Sequence, residues 1–181
     1  MHTTLEDIFS AVKAGIEPLG YLEDADAAAA AGTRRVWAIA PDRRPRLACV
    51  ASVVPDTVTT AAEAGACVRS LRRRLTRHYR GLPLLRRLGT FTVLVVSAAL
   101  YERLRSDVSG LIDTGGLHVN VLLGAAVVHR DELRVKTDHL QGVMDAGNHF
   151  RALQGALEQA CRRQRHAMGL ERTSAEVLSV A

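Results

Sequence analysis

The sequence predicts an α/β or α+β domain in which a single mixed sheet of five strands carries helices on its faces. The chain has 181 residues, of which 48% are hydrophobic and 24% charged, and these are ordinary values for one globular domain. Some segments place apolar residues at helical spacing, whereas others are continuous β-branched runs. The two kinds follow one another in the order α-β-β-α-β-α-β-β-α, which fits one sheet covered by helices.

Five segments carry strand patterns. The most apolar one (FTVLVVS, residues 91–97) is a continuous β-branched run, so we expect an interior position in the sheet. In the next predicted strand, residues 117–128, Gly124 predicts a bulge or sharp bend. The predicted strands cover residues 35–40, 46–54, 91–97, 117–128 and 133–137.

Four segments carry helix patterns. The first is expected to open with the capping box Thr3-x-x-Glu6 and to stop near Pro18. The acidic, Ala-rich stretch 22–33 is predicted to be a connector with a short helical turn at most. The other predicted helices cover residues 60–80, 98–112 and about 149–168. We expect one domain over residues 1–168 and a frayed or weakly docked tail over 169–181.

The charge of the chain is unevenly distributed. The formal net charge is +5. Residues 1–32 carry one Lys and six acids, a net −5, whereas residues 33–90 carry thirteen Arg and three acids, a net +10. Residues 91–181 hold ten basic and ten acidic side chains and are neutral. The basic character therefore belongs to the middle segment, and it comes from Arg, whose planar fork binds phosphate or carboxylate in a bidentate manner.

The most specific feature is an Arg-rich segment, RSLRRRLTRHYRGLPLLRRL (residues 69–88), which contains eight Arg and no acid. On a helix, an apolar stripe of Val68, Leu71, Leu75 and Tyr79 would face the sheet and leave a cationic outer face. The helical part, residues 69–80, would then meet a polyanion such as nucleic acid, or an acidic protein. The candidate anion-binding residues are Arg69, Arg72, Arg73, Arg74, Arg77, Arg80, Arg86 and Arg87.

The same segment also has structural interpretations. The face could be solvated, or it could be neutralised by acids of the N-terminal third, such as Glu23 and Asp24. A second basic cluster (Arg162, Arg163, Arg165 and His166) ends the last helix, where it complements the helix dipole.

A polar region near the C-terminus is the candidate for hydrolytic chemistry. A metal-dependent nuclease needs converging carboxylates and often a nearby Lys. The spacing Glu132-x-x-x-Lys136 differs from the E-x-K of endonuclease-like enzymes, and acids in a turn are common for backbone reasons. The residues that could form such a pocket are Asp131, Glu132, Lys136, Asp138, His139 and His149. No metal site is assigned, and the motifs indicate no cofactor.

The cysteines and the N-terminus indicate the compartment. Cys49, Cys67 and Cys161 are widely spaced and lie among apolar residues, which is typical of free core thiols rather than of a zinc site or a disulfide framework. The N-terminus is not a signal peptide, and no apolar run is long enough to span a bilayer. These features predict a cytoplasmic protein.

The sequence therefore favours a non-catalytic accessory or regulatory module that binds nucleic acid or an acidic protein through residues 69–80. Two alternatives stay open. One is a protein–protein module, in which the aliphatic strands 91–97 and 117–128 or the sheet edge form a homo-oligomer or an adaptor complex. The other is a hydrolase or metal-dependent nuclease that uses the polar region 129–149.

Overall fold

A computed structural model describes residues 4–40, 47–79, 88–104, 108, 111, 120–129, 132–139 and 147–167. Its centre is one mixed sheet of six strands, which lie side by side in chain order. The strands are β1 (Tyr21–Glu23), β2 (Arg35–Ile39), β3 (Leu47–Val53), β4 (Leu88–Val96), β5 (Asn120–His129) and β6 (Val135–His139).

The type of strand pairing changes twice across the sheet, from antiparallel to parallel and back. Strands β1, β2 and β3 are antiparallel neighbours. Strand β4 is parallel to both β3 and β5, and β6 returns antiparallel to β5. All nine residues of β4 are buried, which confirms its predicted interior position. The apolar surface of β4 is therefore covered by the chain's own elements.

In the described ranges, five α-helices cover the two faces of the sheet. They are α1 (Leu5–Ile16), α2 (Ala25–Ala31), α3 (Ala61–His78), α4 (Ala98–Leu104) and α5 (Gly147–Ala167). Helices α1 and α5 contribute Phe9, Val12 and Leu157 to a core on one face of the sheet. Helices α2, α3 and α4 cover the opposite face, where α3 and α4 connect the parallel strands.

The structure departs from the predicted elements near the N-terminus. The helix α1 is capped by Thr4 with Asp7, not by the predicted pair Thr3 and Glu6. The stretch predicted to be a connector, residues 22–33, contains two of the three residues of the short edge strand β1 and the whole of the two-turn helix α2. A three-residue strand with two exposed residues has too little apolar alternation to be read from sequence, which explains why five strands were expected.

The bend predicted at Gly124 is confirmed as a register shift between β4 and β5. Thr90 pairs with Leu122 and Phe91 pairs with Gly124, so one extra residue is inserted in β5. Residues 41–46, between β2 and β3, and the predicted tail 169–181 lie outside the described residues. Within the part of the chain that is described, no helix is both long and apolar enough to cross a membrane.

Candidate polyanion-binding surface

Helix α3 carries the candidate site, and its orientation follows from its apolar residues. The helix begins with a capping box, in which Thr60 accepts from the backbone N–H of Glu63 and Glu63 accepts from that of Thr60. Val68, Leu71 and Leu75 are buried against the sheet, as the sequence predicts. The face on the other side of the helix therefore points away from the sheet.

Three arginines follow one line along that outer face. Arg69, Arg73 and Arg77 are exposed and stand four residues apart, so their side chains lie on the same side of the helix over about 12 Å of its axis. None of the three makes an ion pair with a carboxylate in the described ranges. We refer to Arg69, Arg73 and Arg77 as the arginine line.

Arg72 does not belong to this surface, which corrects the sequence expectation. Only 6% of the residue is exposed. The reason is its position around the helix, because it follows Leu71 by one residue and precedes Leu75 by three, and so stands beside the buried stripe. A long arginine stem can be covered by neighbouring side chains even when the sequence pattern suggests exposure.

Arg74 is exposed, but its position has a structural explanation. The C-terminal residue after α2 is Gly32, which has a φ of +61° and donates its N–H to the last turn of that helix. A Cβ added at Gly32 would lie 2.9 Å from Nη1 of Arg74. The guanidinium thus lies at the negative end of the α2 dipole, where a cation stabilises the helix.

The acidic N-terminal third packs against α3 through the apolar face of α2, and one of its carboxylates, Asp24, reaches the end of α3. The hydroxyl of Tyr79 donates to Asp24 over 2.7 Å, and Asp24 also caps α2 through the N–H of Ala27. Glu6 and Glu23 pair instead with Arg35, at 3.3 and 2.6 Å. The expected internal neutralisation therefore does not reach the arginine line. Arg80, Arg86 and Arg87 lie outside the described residues.

Glu132 and His149, two of the described residues of the candidate polar pocket, lie far apart. Glu132 lies beside Leu133, whose N–H donates to Gln164 near the end of α5. His149 lies in the first turn of α5, where its ring meets the edge of Tyr21 at 5.6 Å. Fifteen residues of helix separate His149 from Gln164, a distance of about 22 Å.

The chemistry of Glu132 is that of an ion-pair partner. The hydrogen bond from Arg134, at 2.7 Å, lowers the pKa of Glu132 below its ordinary value. A general acid near neutral pH needs the opposite shift. Lys136 is half-buried on β6, which also contains the backbone of Asp138 and His139, and Asp131 lies outside the described residues.

Neither a metal centre nor a relative adds to this description. Over the described ranges, no group of three or more His, Cys, Asp or Glu side chains could hold a metal ion. The three thiols are free, with Cys49 and Cys161 buried and Cys67 half-buried. No family model, curated protein or solved structure matches the chain.

Proposed function

We propose that the chain is a non-catalytic binding module that contacts the phosphate backbone of a nucleic acid through the arginine line. One observation carries the proposal: Arg69, Arg73 and Arg77 are exposed on one helix face, and no described carboxylate pairs with them. Like charges four residues apart destabilise an isolated helix. A polyanion that neutralises them removes this repulsion.

The dimensions of the face suit a duplex. Double-stranded DNA carries about one negative charge per 1.7 Å of its axis when both strands are counted, so phosphates are dense enough to meet each of the three guanidinium groups along the 12 Å line. Helix α3 contains no Phe, Tyr or Trp, and base stacking on aromatic side chains is what holds most single-strand binders. We therefore expect contact with phosphates and little dependence on base sequence.

The experiment is a salt titration of duplex binding. A triple variant, Arg69→Gln with Arg73→Gln and Arg77→Gln, is compared with the wild type by fluorescence anisotropy on a labelled DNA duplex. Each phosphate contact contributes about −0.9 to the slope of log K against log salt, so the variant should lose about three from the magnitude of that slope. Its affinity at low salt should fall as well.

A second triple variant controls for net charge alone. Lys13→Gln, Arg151→Gln and Arg163→Gln remove three exposed positive charges from α1 and α5, on the opposite face of the sheet, and should change the slope far less. If both triple variants lose the same slope, the arginine line is not the contact surface. If the wild type prefers polyglutamate to duplex DNA at equal ionic strength, the partner is an acidic protein and the nucleic-acid proposal is wrong.

A further inference from the structure

A groove on the other side of the molecule gathers a second set of arginines. It has a volume of about 360 Å³ and lies between the C-terminal half of α5, strand β6 and helix α4. Arg134, Arg162 and Arg165 line it, together with Glu158, Tyr101 and Cys161. The volume is at the lower end of the range for small-molecule sites.

Two arginines in the C-terminal half of α5, Arg162 and Arg165, line the groove. The positive charge of Arg165 is close enough to Glu132 to contribute to the lowered pKa of that carboxyl. Arg162 and Arg165 are exposed, stand three residues apart and make no ion pair with a described carboxylate. Glu158 lies one turn before Arg162, at the spacing that favours a salt bridge. The carboxylate of Glu158 instead accepts a hydrogen bond from Nε2 of Gln154, at 2.9 Å. Both guanidinium groups therefore remain open to a ligand.

Arg134 differs because it is held in place. Its Nε and Nη2 donate to Glu132, and its Nη1 donates to Glu102 at 3.1 Å. A guanidinium has five N–H donors, so two are left over after these three bonds. The two glutamates fix the orientation of this side chain, which reduces the entropy lost when a ligand binds.

The groove also has the position in the fold that favours ligand binding. In open α/β sheets, ligands bind in the crevice beyond the carboxyl ends of the parallel strands. Strand β5 ends at His129, and the ring of Tyr101 meets that of His129 edge to face at 5.9 Å. Helix α4 covers one face of the sheet at this point and α5 covers the other.

We propose that this groove binds a small phosphate monoester, with the phosphoryl group between Arg162, Arg165 and Arg134. Three guanidinium groups offer more donors than the two oxygens of a carboxylate accept, whereas a phosphoryl group presents three acceptor oxygens and up to two negative charges. Tyr101 and Cys161 line the groove beside these groups and would contact the organic part of the ligand.

The test uses phenyl phosphate as the probe and isothermal titration calorimetry as the measurement. The wild type should bind it saturably and should bind benzoate more weakly. The double variant Arg162→Gln, Arg165→Gln should weaken phenyl phosphate binding by about tenfold or more, because each guanidinium supplies a charge-assisted hydrogen bond. Both residues are exposed, so the variant should keep the thermal stability of the wild type.

Two further variants make the result specific. Glu158→Gln removes a negative charge from the groove and should tighten phenyl phosphate binding several-fold. The control Arg151→Gln, Arg163→Gln removes two exposed arginines of α5 that do not line the groove, and should leave the affinity unchanged.

The triple variant of the arginine line should also retain phenyl phosphate binding, so this proposal and the nucleic-acid proposal can fail separately. Equal affinity in the wild type and the Arg162→Gln, Arg165→Gln variant would overturn the groove assignment. An equal loss in the control variant, or no saturable binding by the wild type up to about 10 mM probe, would do the same.

Discussion

Two tyrosines on opposite faces of the sheet differ in whether their hydroxyl group has a hydrogen-bond partner. Tyr21 is 2% exposed, and its hydroxyl has no hydrogen-bond partner in the described part of the structure. The hydroxyl of Tyr79 donates to Asp24 at 2.7 Å and so joins the end of α3 to the start of α2. A buried polar atom without a partner loses its hydrogen bonds to water and gains none in the protein, whereas a hydrogen-bonded one stabilises the fold.

Removing the two hydroxyls should therefore change stability in different directions. Tyr21→Phe should leave the free energy of unfolding unchanged or raise it by up to about 1 kcal/mol, and Tyr79→Phe should lower it by about 1 to 2 kcal/mol. Urea denaturation followed by circular dichroism measures both. A larger loss for Tyr21→Phe than for Tyr79→Phe would contradict this assignment of partners.

The burial of individual arginines is also decided residue by residue. The sequence correctly predicts that α3 buries one stripe, but not which arginines at the border of that stripe are buried. Arg72 is covered and Arg74 lies against the end of α2, and both outcomes depend on elements that are remote in sequence. Arg134 was not a candidate, because its role arises only when β6, α4 and α5 meet.

At the scale of elements, the contact between α1 and α5 depends on one glycine. A Cβ added at Gly15 would lie 2.5 Å from Cβ of Ala156 and 3.0 Å from the carbonyl oxygen of Ala152. At those distances the backbones must move apart. Gly15 is thus the position that lets the two helices of this face approach each other closely.

Two Gly→Ala substitutions separate packing from helix propensity. In an open helix position, Gly→Ala stabilises by about 0.5 to 1 kcal/mol, and this is expected for Gly155→Ala because nothing lies within 4 Å of the added Cβ. Gly15→Ala should instead destabilise by about 1 to 3 kcal/mol through overpacking. Thermal denaturation of the two variants measures the contrast, and stabilisation by both would show that the helices separate freely.

The elements that the sequence predicts best are those with a long, uniform pattern. The continuous apolar run of β4 covers residues 91–97, and the apolar stripes of α1, α3 and α5 extend along helices of 12, 18 and 21 residues. Strand β1 and helix α2 are short, and β1 depends on pairing with β2 rather than on its own residues. Short elements of this kind are determined by tertiary contacts, which a local pattern does not contain.

At the scale of the whole molecule, the two faces of the sheet carry separate clusters of exposed arginines. The arginine line lies on α3, whereas the groove is formed mainly by α5, which covers the opposite face. The sequence places both clusters near helix C-termini and assigns the second to the helix dipole. In the folded chain a cavity lies beside the second cluster. This cavity forms only where α4, β6 and α5 pack together, so the sequence alone does not predict it.

Raising the pH above about 9 should destabilise the molecule through two buried groups. Burial raises the pKa of the Cys49 thiol above its ordinary value of 9.0. Burial, with the neighbouring charge of Cys49, also raises the pKa of Tyr21 above 10.0. The unfolded chain therefore loses these protons first, so the stability that is present below pH 9 falls as the pH rises, by about 1.4 kcal/mol per pH unit for each ionising group.

Urea midpoints from pH 8 to about pH 11 measure the decline. The Tyr21→Phe variant should show a shallower decline above pH 10, and an unchanged slope would exclude Tyr21 as a source of the alkaline instability.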